Sequence, residues 1–308
     1  MNSPTNALSE SPVAAQAVAP VAISEGRRMY WSLRRELWES RSLYIAPLVV
    51  AGLILVGFLI SLGRFAAKMQ GISALSPVQQ QEAIQQPYDM AALLLMGATL
   101  VVAVFYCLDA LHGERRDRSI LFWKSLPVSD LTTVLSKAAI VVVVLPLITF
   151  AITVVTQWLL LLLNTAVLVG SGQNAGLLWS HLSLGQAGLF WHLLAIHGFW
   201  YAPFYAWLLL VSAWARRATF LWAALPLVGI GVIEKIAFNT SHFAATLGNR
   251  FIGSAEGGSS TEGGTSMSAM LQVHPGHLVM SPGLWIGLAV TAALLAAAVR
   301  VRRYQGPI

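Results

Sequence analysis

Charge is what this chain has least of. Only 10% of its 308 residues are Asp, Glu, Lys or Arg, against about 25% in ordinary soluble proteins. So few charges cannot cover a water-facing surface, which excludes a soluble globular protein and leaves one whose solvent is mostly lipid. Lysine is scarcer still: Lys68, Lys124, Lys137 and Lys235 are the whole set, and none follows a glycine. The sequence therefore lacks the phosphate-binding pattern G-x-x-x-x-G-K-[ST], and with it that route to ATP hydrolysis. The single cysteine, Cys107, has no partner for an intramolecular disulfide and forms no metal-binding cluster. Within its apolar run it reads as a small packing residue. No secretory signal pattern opens the chain. Residues 1–26, rich in Ala, Ser, Pro and Val, read as a disordered tail.

Long apolar runs fill the rest. A bilayer-spanning helix takes about 20 such residues, and six segments reach that length: about 44–63, 90–110, 138–163, 188–214, 218–238 and 282–299. From Ala138 to Ala215 there is no Asp, Glu, Lys or Arg. A charge at a helix centre costs about 2.5–3.5 kcal/mol on insertion, so this stretch reads as two spans joined by a turn near Gly170, Gly172 and Gly176. The predicted fold is an all-α membrane protein with six transmembrane helices, the transmembrane domain covering 44–308.

The cations are distributed unevenly. Fifteen of the 19 lie in the N-terminal flank, the second and fourth loops and the C-terminal flank; only Arg64, Lys68, Lys235 and Arg250 lie in the others. The positive-inside rule then predicts that both N- and C-termini are cytoplasmic, which requires an even number of spans. Cations at the ends of apolar runs suit anionic lipid headgroups, so membrane lipid is the expected contact and nucleic acid is not. Residues 27–43 precede the first span. In RRMYWSLRRELWESR, Tyr30, Leu33 and Leu37 recur at helical spacing, while Arg34, Arg35, Glu36 and Glu39 fall on other faces and Trp38 suits headgroup level. This predicts an amphipathic helix lying on the membrane surface. Among the outer loops, 64–89 is Gln-rich with room for a short helix, and 253–268 is Gly/Ser-rich and flexible.

Chemistry is hard to find. Gly170-Ser-Gly172-Gln-Asn-Ala175 fits a dinucleotide pattern, but it follows a membrane span rather than a strand and reads as a turn. His274 and His277 flank Pro-Gly with no carboxylate near, so no metal site is expected. In the third span Thr149, Thr153, Thr156, Gln157 and Asn164 share an arc of about 100°, a face expected to meet other helices and only secondarily to line a translocation path. His197, Tyr201 and Tyr205 share a face of the fourth span, again favouring interhelix hydrogen bonds over a path. Gly283 and Gly287 form a GxxxG that permits close helix contact. No nucleophile–base–orienter set is apparent, so the chain is not expected to be an enzyme.

The exception to this greasiness is GERRDRSILFWKSLPVSD, residues 113–130. Glu114, Arg115, Arg116, Asp117 and Arg118 are charged in succession, and Ile120–Trp123 form an apolar cluster behind them. The spacing predicts a short helix with Glu114 and Arg118 one turn apart, ended by Pro127, with Ser129 or Asp130 capping the next helix. The layout is a compact charged helix with an aromatic knob between two rigid spans.

Residues 108–137, LDALHGERRDRSILFWKSLPVSDLTTVLSK, resemble the first cytoplasmic loop of permease subunits of ABC-2-type ABC transporters. Weaker similarity covers 34–47 and 233–243; elsewhere the agreement is in span number and hydropathy. The resemblance implies a coupling helix between spans 2 and 3 that docks on a separate ATPase subunit. Glu114, Arg115, Arg116, Asp117, Arg118, Phe122 and Trp123 would face or support that contact. It further implies that Arg34, Arg35, Glu36, Trp38 and Glu39 belong to a connecting helix. Two ATPase copies would carry ATP and Mg, with no cofactor on this chain. A second permease chain, identical or related, would complete a multi-pass exporter in the bacterial inner membrane. The alternatives from the residues are an ion-gradient-driven transporter, which wants ionisable groups near the midplane that these spans lack, and a non-transporting scaffold.

Overall fold

The computed structural model describes residues 24–125, 128–181, 185–252 and 279–306. The expected tail, the Gly/Ser-rich segment 253–268, the His274/His277 pair and Pro127 lie outside the described residues, except that Ser24–Gly26 are described and Glu25 and Gly26 are helical. Among those described there is no strand.

A surface helix, α1 (Glu25–Glu39), leads into α2 (Ser42–Ser73) and α3 (Pro77–Ala110). Two short helices follow, α4 (His112–Arg116) and α5 (Ser119–Ser125). Helix α6 (Asp130–Ala139) passes through a π-helical stretch, Ile140–Val144, into α7 (Leu145–Gly170). Next come α8 (Gly176–His181) and α9 (Gln186–His192), a second π-helical stretch, Leu193–Trp200, and α10 (Ala202–Trp214). The chain closes with α11 (Thr219–Phe238), α12 (His242–Ile252) and α13 (Pro282–Tyr304).

Among the described residues five helical segments are long and apolar enough to cross a bilayer: Ser42–Phe65, Pro77–Arg116, Asp130–Gly170, Thr219–Phe238 and Pro282–Tyr304. The expected fourth span is not one straight rod. Gln186–Trp200 and Ala202–Trp214 meet at a 45° bend, and counting the pair as one span brings the total to six. Pro203 accounts for the break, since it has no N–H to offer and its ring crowds the carbonyl of Phe199. The Tyr201 amide donates to Ile196 O, five residues back, which is the π pattern. The other π stretch has the same cause: Pro146 stands two residues beyond Val144, as Pro203 stands three beyond Trp200. The two π stretches pack on each other, and Gly198 is where they touch. A Cβ there would collide with the backbone carbonyl of Val142.

The expected 64–89 loop is instead a helical hairpin turning at residues 74–76. Its sequence explains why. Ser76 and Gln79 form a reciprocal cap with Pro77 in the first turn. Gln80 Nε2 donates to Ser73 O (3.2 Å) and Leu75 O (2.9 Å), tying the two helices together. Met69, Ile72, Ile84 and Tyr88 fill the space between them.

Helix α12 was not anticipated in the loop after α11. Glu234, near the end of α11, holds it: its carboxylate accepts from Thr240 Oγ1 (2.9 Å) and from the His242 and Phe243 amides (2.7 and 2.8 Å). Those amides are among the donors that the first turn of a helix leaves unsatisfied. Glu234→Ala is therefore expected to speed hydrogen exchange across α12 while leaving α11 protected; unchanged protection would refute the capping role.

The main core joins α1, α2, α3, α6, α7, α10, α13 and the first π stretch around Leu43, Tyr106, Ile140, Leu145, Tyr205 and Leu209. Cys107 is buried there, as its apolar setting predicts. Helix α11 stands at the periphery, with only 6% of its apolar window buried. Phe220, Leu225, Val228, Ile233 and Ile236 point outward from it, a surface that lipid tolerates and water does not.

Candidate functional site

One end of the bundle gathers charge. Helix α1 brings Arg35 and Glu36, α4 brings Glu114, α6 brings Asp130 and Lys137, and α13 brings Arg302. Lys137 Nζ lies 2.5 Å from Glu36 Oε1 and 3.1 Å from Glu114 Oε1. Arg302 bridges Glu114 (Nη1 to Oε2, 2.5 Å) and Asp130 (Nε to Oδ1, 3.1 Å). Arg35 Nη2 reaches Glu36 at 3.5 Å and Glu114 at 3.4 Å, and Tyr106 donates its hydroxyl to Glu36 (3.2 Å). Glu36 is 3% exposed and Lys137 2%. Three carboxylates thus meet three cations across four helices. Charges this buried persist only when paired and hydrogen-bonded, and such pairing contributes geometric uniqueness more than net stability.

The inward half of the charged insert is clamped. Arg115 Nη1 donates to the carbonyls of Ala213 (2.8 Å) and Ala215 (3.2 Å) at the end of α10, and its Nε to Gly306 O (3.3 Å). A cation at a helix C-terminus meets the negative end of the dipole. Lys124 does the same for α13, donating to Arg303 O and Gln305 O. Ser212 Oγ accepts from the Leu111 and His112 amides. The Arg35 guanidinium lies 3.6 Å from the centroid of the Trp123 ring, stacking α1 on α5.

The outward half faces solvent. Arg116, Asp117 and Arg118 are exposed, with Leu121 and Phe122 beside them at 58% and 60%. Among the described residues Arg116 pairs with Asp117 (3.1 Å) and Asp109 (3.8 Å), both open to solvent. The predicted single short helix is two, because Arg118 adopts φ 58° and turns the chain between α4 and α5. Glu114 and Arg118 consequently do not share a helical face: the first points into the cluster and the second away from it.

The other expected positions separate by role. On α1, Glu36 is buried in the cluster; Arg35 pairs with it and with Glu39 (3.3 Å); Arg34 lies over the rings of Trp31 and Trp38. Trp38 is exposed. The stripe on α7 is buried against α3. Thr149 and Thr99 hydroxyls lie 2.7 Å apart, Thr153 and Thr156 donate to their own preceding turns, Gln157 Nε2 donates to Tyr88 O (3.4 Å) and Asn164 Nδ2 to Tyr88 Oη (2.7 Å). This face meets a helix, as expected. His197, Tyr201 and Tyr205 form an edge-to-face series of rings, with centroids 5.5 and 6.5 Å apart, despite the bend. The GxxxG of α13 admits side chains: Gly283 faces the Trp200 ring, and Gly287 faces the Arg250 guanidinium and Pro203. Arg250 and Trp200 also exchange side-chain-to-carbonyl hydrogen bonds (3.1 and 3.0 Å), and partial burial lowers the arginine's pKa. Among the described residues no three His, Cys, Asp or Glu side chains are placed to hold a metal.

Sequence reasoning placed Lys137, Arg302 and Asp130 only as flank charges and a cap. One local signal was available: Asp130 and Lys137 are seven residues apart, hence on one face of an otherwise apolar-lined helix. Ser129, not Asp130, makes the cap, accepting from the Thr132 amide (3.1 Å), which leaves Asp130 for Arg302. No protein-family model, curated protein or solved structure matches the chain.

Proposed function

We propose that this chain is the membrane-spanning permease subunit of an ATP-driven exporter of the ABC-2 type, set in a bacterial inner membrane. In this reading it works with a separate ATPase present in two copies and with a second permease chain. The observation that carries the reading is a knob that presents Arg116, Asp117, Arg118, Leu121 and Phe122 to solvent, seats Ile120 inward and is braced to four helices at once. Arg115 and Lys124 fix it to the ends of α10 and α13, Trp123 fixes it to α1, and Glu114 fixes it to α6 and α13. A partner that pushes on such a knob moves helices rather than a loop. ATP and Mg would reside on the partner, since this chain has no phosphate-binding loop. With both termini on the cytoplasmic side, the knob faces the compartment that holds ATP. The resemblance of residues 108–137 to the coupling loop of that family supports the same assignment.

The test is co-purification from native membranes. A tagged wild-type chain is expected to bring down a P-loop ATPase whose hydrolysis rises on binding. The variant R116E/R118E/F122A is expected to insert and melt as wild type yet lose about tenfold or more of the partner, as central interface anchors do. Equal recovery of the ATPase by both proteins, or none by the wild type, would sink the reading. Arg115 is the wrong place to probe, because its reversal would bury a carboxylate against three carbonyls.

A further inference from the structure

At the opposite end of the bundle from the ion cluster, α2, α3, α7 and α8 enclose a cavity of about 200 Å³. Its walls are apolar, with Phe58, Phe65, Met69 and Ile84 among them. Two cations stand on it, Arg64 and Lys68, one helical turn apart on α2. Both are exposed, and neither forms an ion pair with a described residue. Glu82, the carboxylate on the nearby part of α3, is exposed and pairs with neither. Deeper in lie Tyr88 and Asn164, each 1% exposed. Asn164 Nδ2 donates to Tyr88 Oη, and its Oδ1 is buried with no partner. Were the amide turned over, the unused group would be its N–H pair instead. Either way a buried hydrogen-bonding group of a cavity-lining side chain lacks a partner among the described residues.

We propose that this cavity binds a single-chain amphipathic anion that carries a hydroxyl near its acid group, as a lysophosphatidate does. The acid group sits on Arg64 and Lys68, which otherwise lack counter-charges. The hydroxyl, donor and acceptor at once, satisfies Asn164 in whichever orientation its amide adopts. The chain lies along the phenylalanine walls. A cavity below the roughly 300–1,000 Å³ of drug-sized pockets takes one narrow chain rather than two. Its level suits a lipid: Phe58 belongs to the apolar span that ends at Phe65, while Lys68, Met69 and Ile72 lie beyond it. The site is independent of the ATPase reading and stands or falls without it.

The test uses the purified full chain in phosphatidylcholine nanodiscs with a diazirine-bearing lysophosphatidate, and the crosslinks are mapped by peptide mass spectrometry. Saturable labelling is expected within residues 58–72 and 83–88. Unlabelled lysophosphatidate should compete, whereas lysophosphatidylcholine and inorganic phosphate should not. R64Q/K68Q should weaken labelling roughly thirtyfold, about the worth of two cations near a membrane surface, with an unchanged melting temperature because both side chains are exposed. Asn164→Leu should weaken it further, and Ala83→Trp, which fills the cavity, should abolish it. Labelling scattered over the lipid-facing helices, labelling indifferent to R64Q/K68Q, or competition by inorganic phosphate alone would each overturn the proposal.

Discussion

Replacing Lys137 with methionine is expected to destabilise the protein by about 3–5 kcal/mol, the usual cost of removing one partner from a buried ion pair. Among the described residues Lys137 is the one cation in contact with both Glu36 and Glu114 through a fully buried side chain. Its loss leaves two carboxylates facing each other with Arg302 and the half-exposed Arg35 to neutralise them. In detergent or nanodiscs the variant should melt well below wild type. The double variant E36Q/K137M should recover part of the difference, because it removes a charge of each sign and leaves Tyr106 a neutral acceptor. That recovery distinguishes a broken ion pair from simple loss of packing. A K137M protein with wild-type melting would mean that the cluster does not hold these helices together.

The second large effect is expected at Gly198. Its missing side chain is what allows the π stretch before α10 to rest on the carbonyl of Val142. The obstructing atom is backbone, so it cannot swing aside as a side chain would. Gly198→Ala is expected to cost roughly 3 kcal/mol, the upper end of overpacking penalties. Gly97, mid-helix in α3 with nothing near its would-be Cβ, is the matched control. Gly97→Ala should be neutral or stabilise by up to about 1 kcal/mol through helix propensity. Thermal melts of the two variants side by side check the contrast; a Gly198→Ala protein as stable as Gly97→Ala would refute the close contact.

Much of this fold is legible in the sequence, for reasons that differ by element. The spans around 44–63, 218–238 and 282–299 are apolar over whole helical lengths, and hydropathy alone locates them. The Thr149–Asn164 stripe and the His197–Tyr205 face follow from the 3.6-residue period. What periodicity cannot see is a partner distant in the chain. Glu36, Lys137 and Arg302 each look like an ordinary flank charge, and only packing turns them inward. The hairpin at 74–76 was missed because α2 and α3 run beyond the apolar core on polar, Gln-rich turns where hydropathy stops marking helix. The bend at Tyr201 was foreshadowed by Pro203, but a proline in a span does not announce how far the axis turns. In the charged insert, succession was mistaken for a common face: Arg118, with its positive φ, divides it into a half that anchors and a half that projects.

The ion cluster also sets an order of events during synthesis. Glu114 and its partner Arg302 are separated by 188 residues. While the ribosome is still making the middle helices, Glu36, Glu114 and Asp130 have only Arg35 and Lys137 to balance them, and the nascent bundle carries one surplus negative charge at a site that will later be dry. Such a site stays hydrated and unlatched until α13 arrives. The charge balance of the cluster is therefore completed only by Arg302 on α13, late in the chain, and a protein lacking Arg302 is expected to hold α4 and α6 together less tightly.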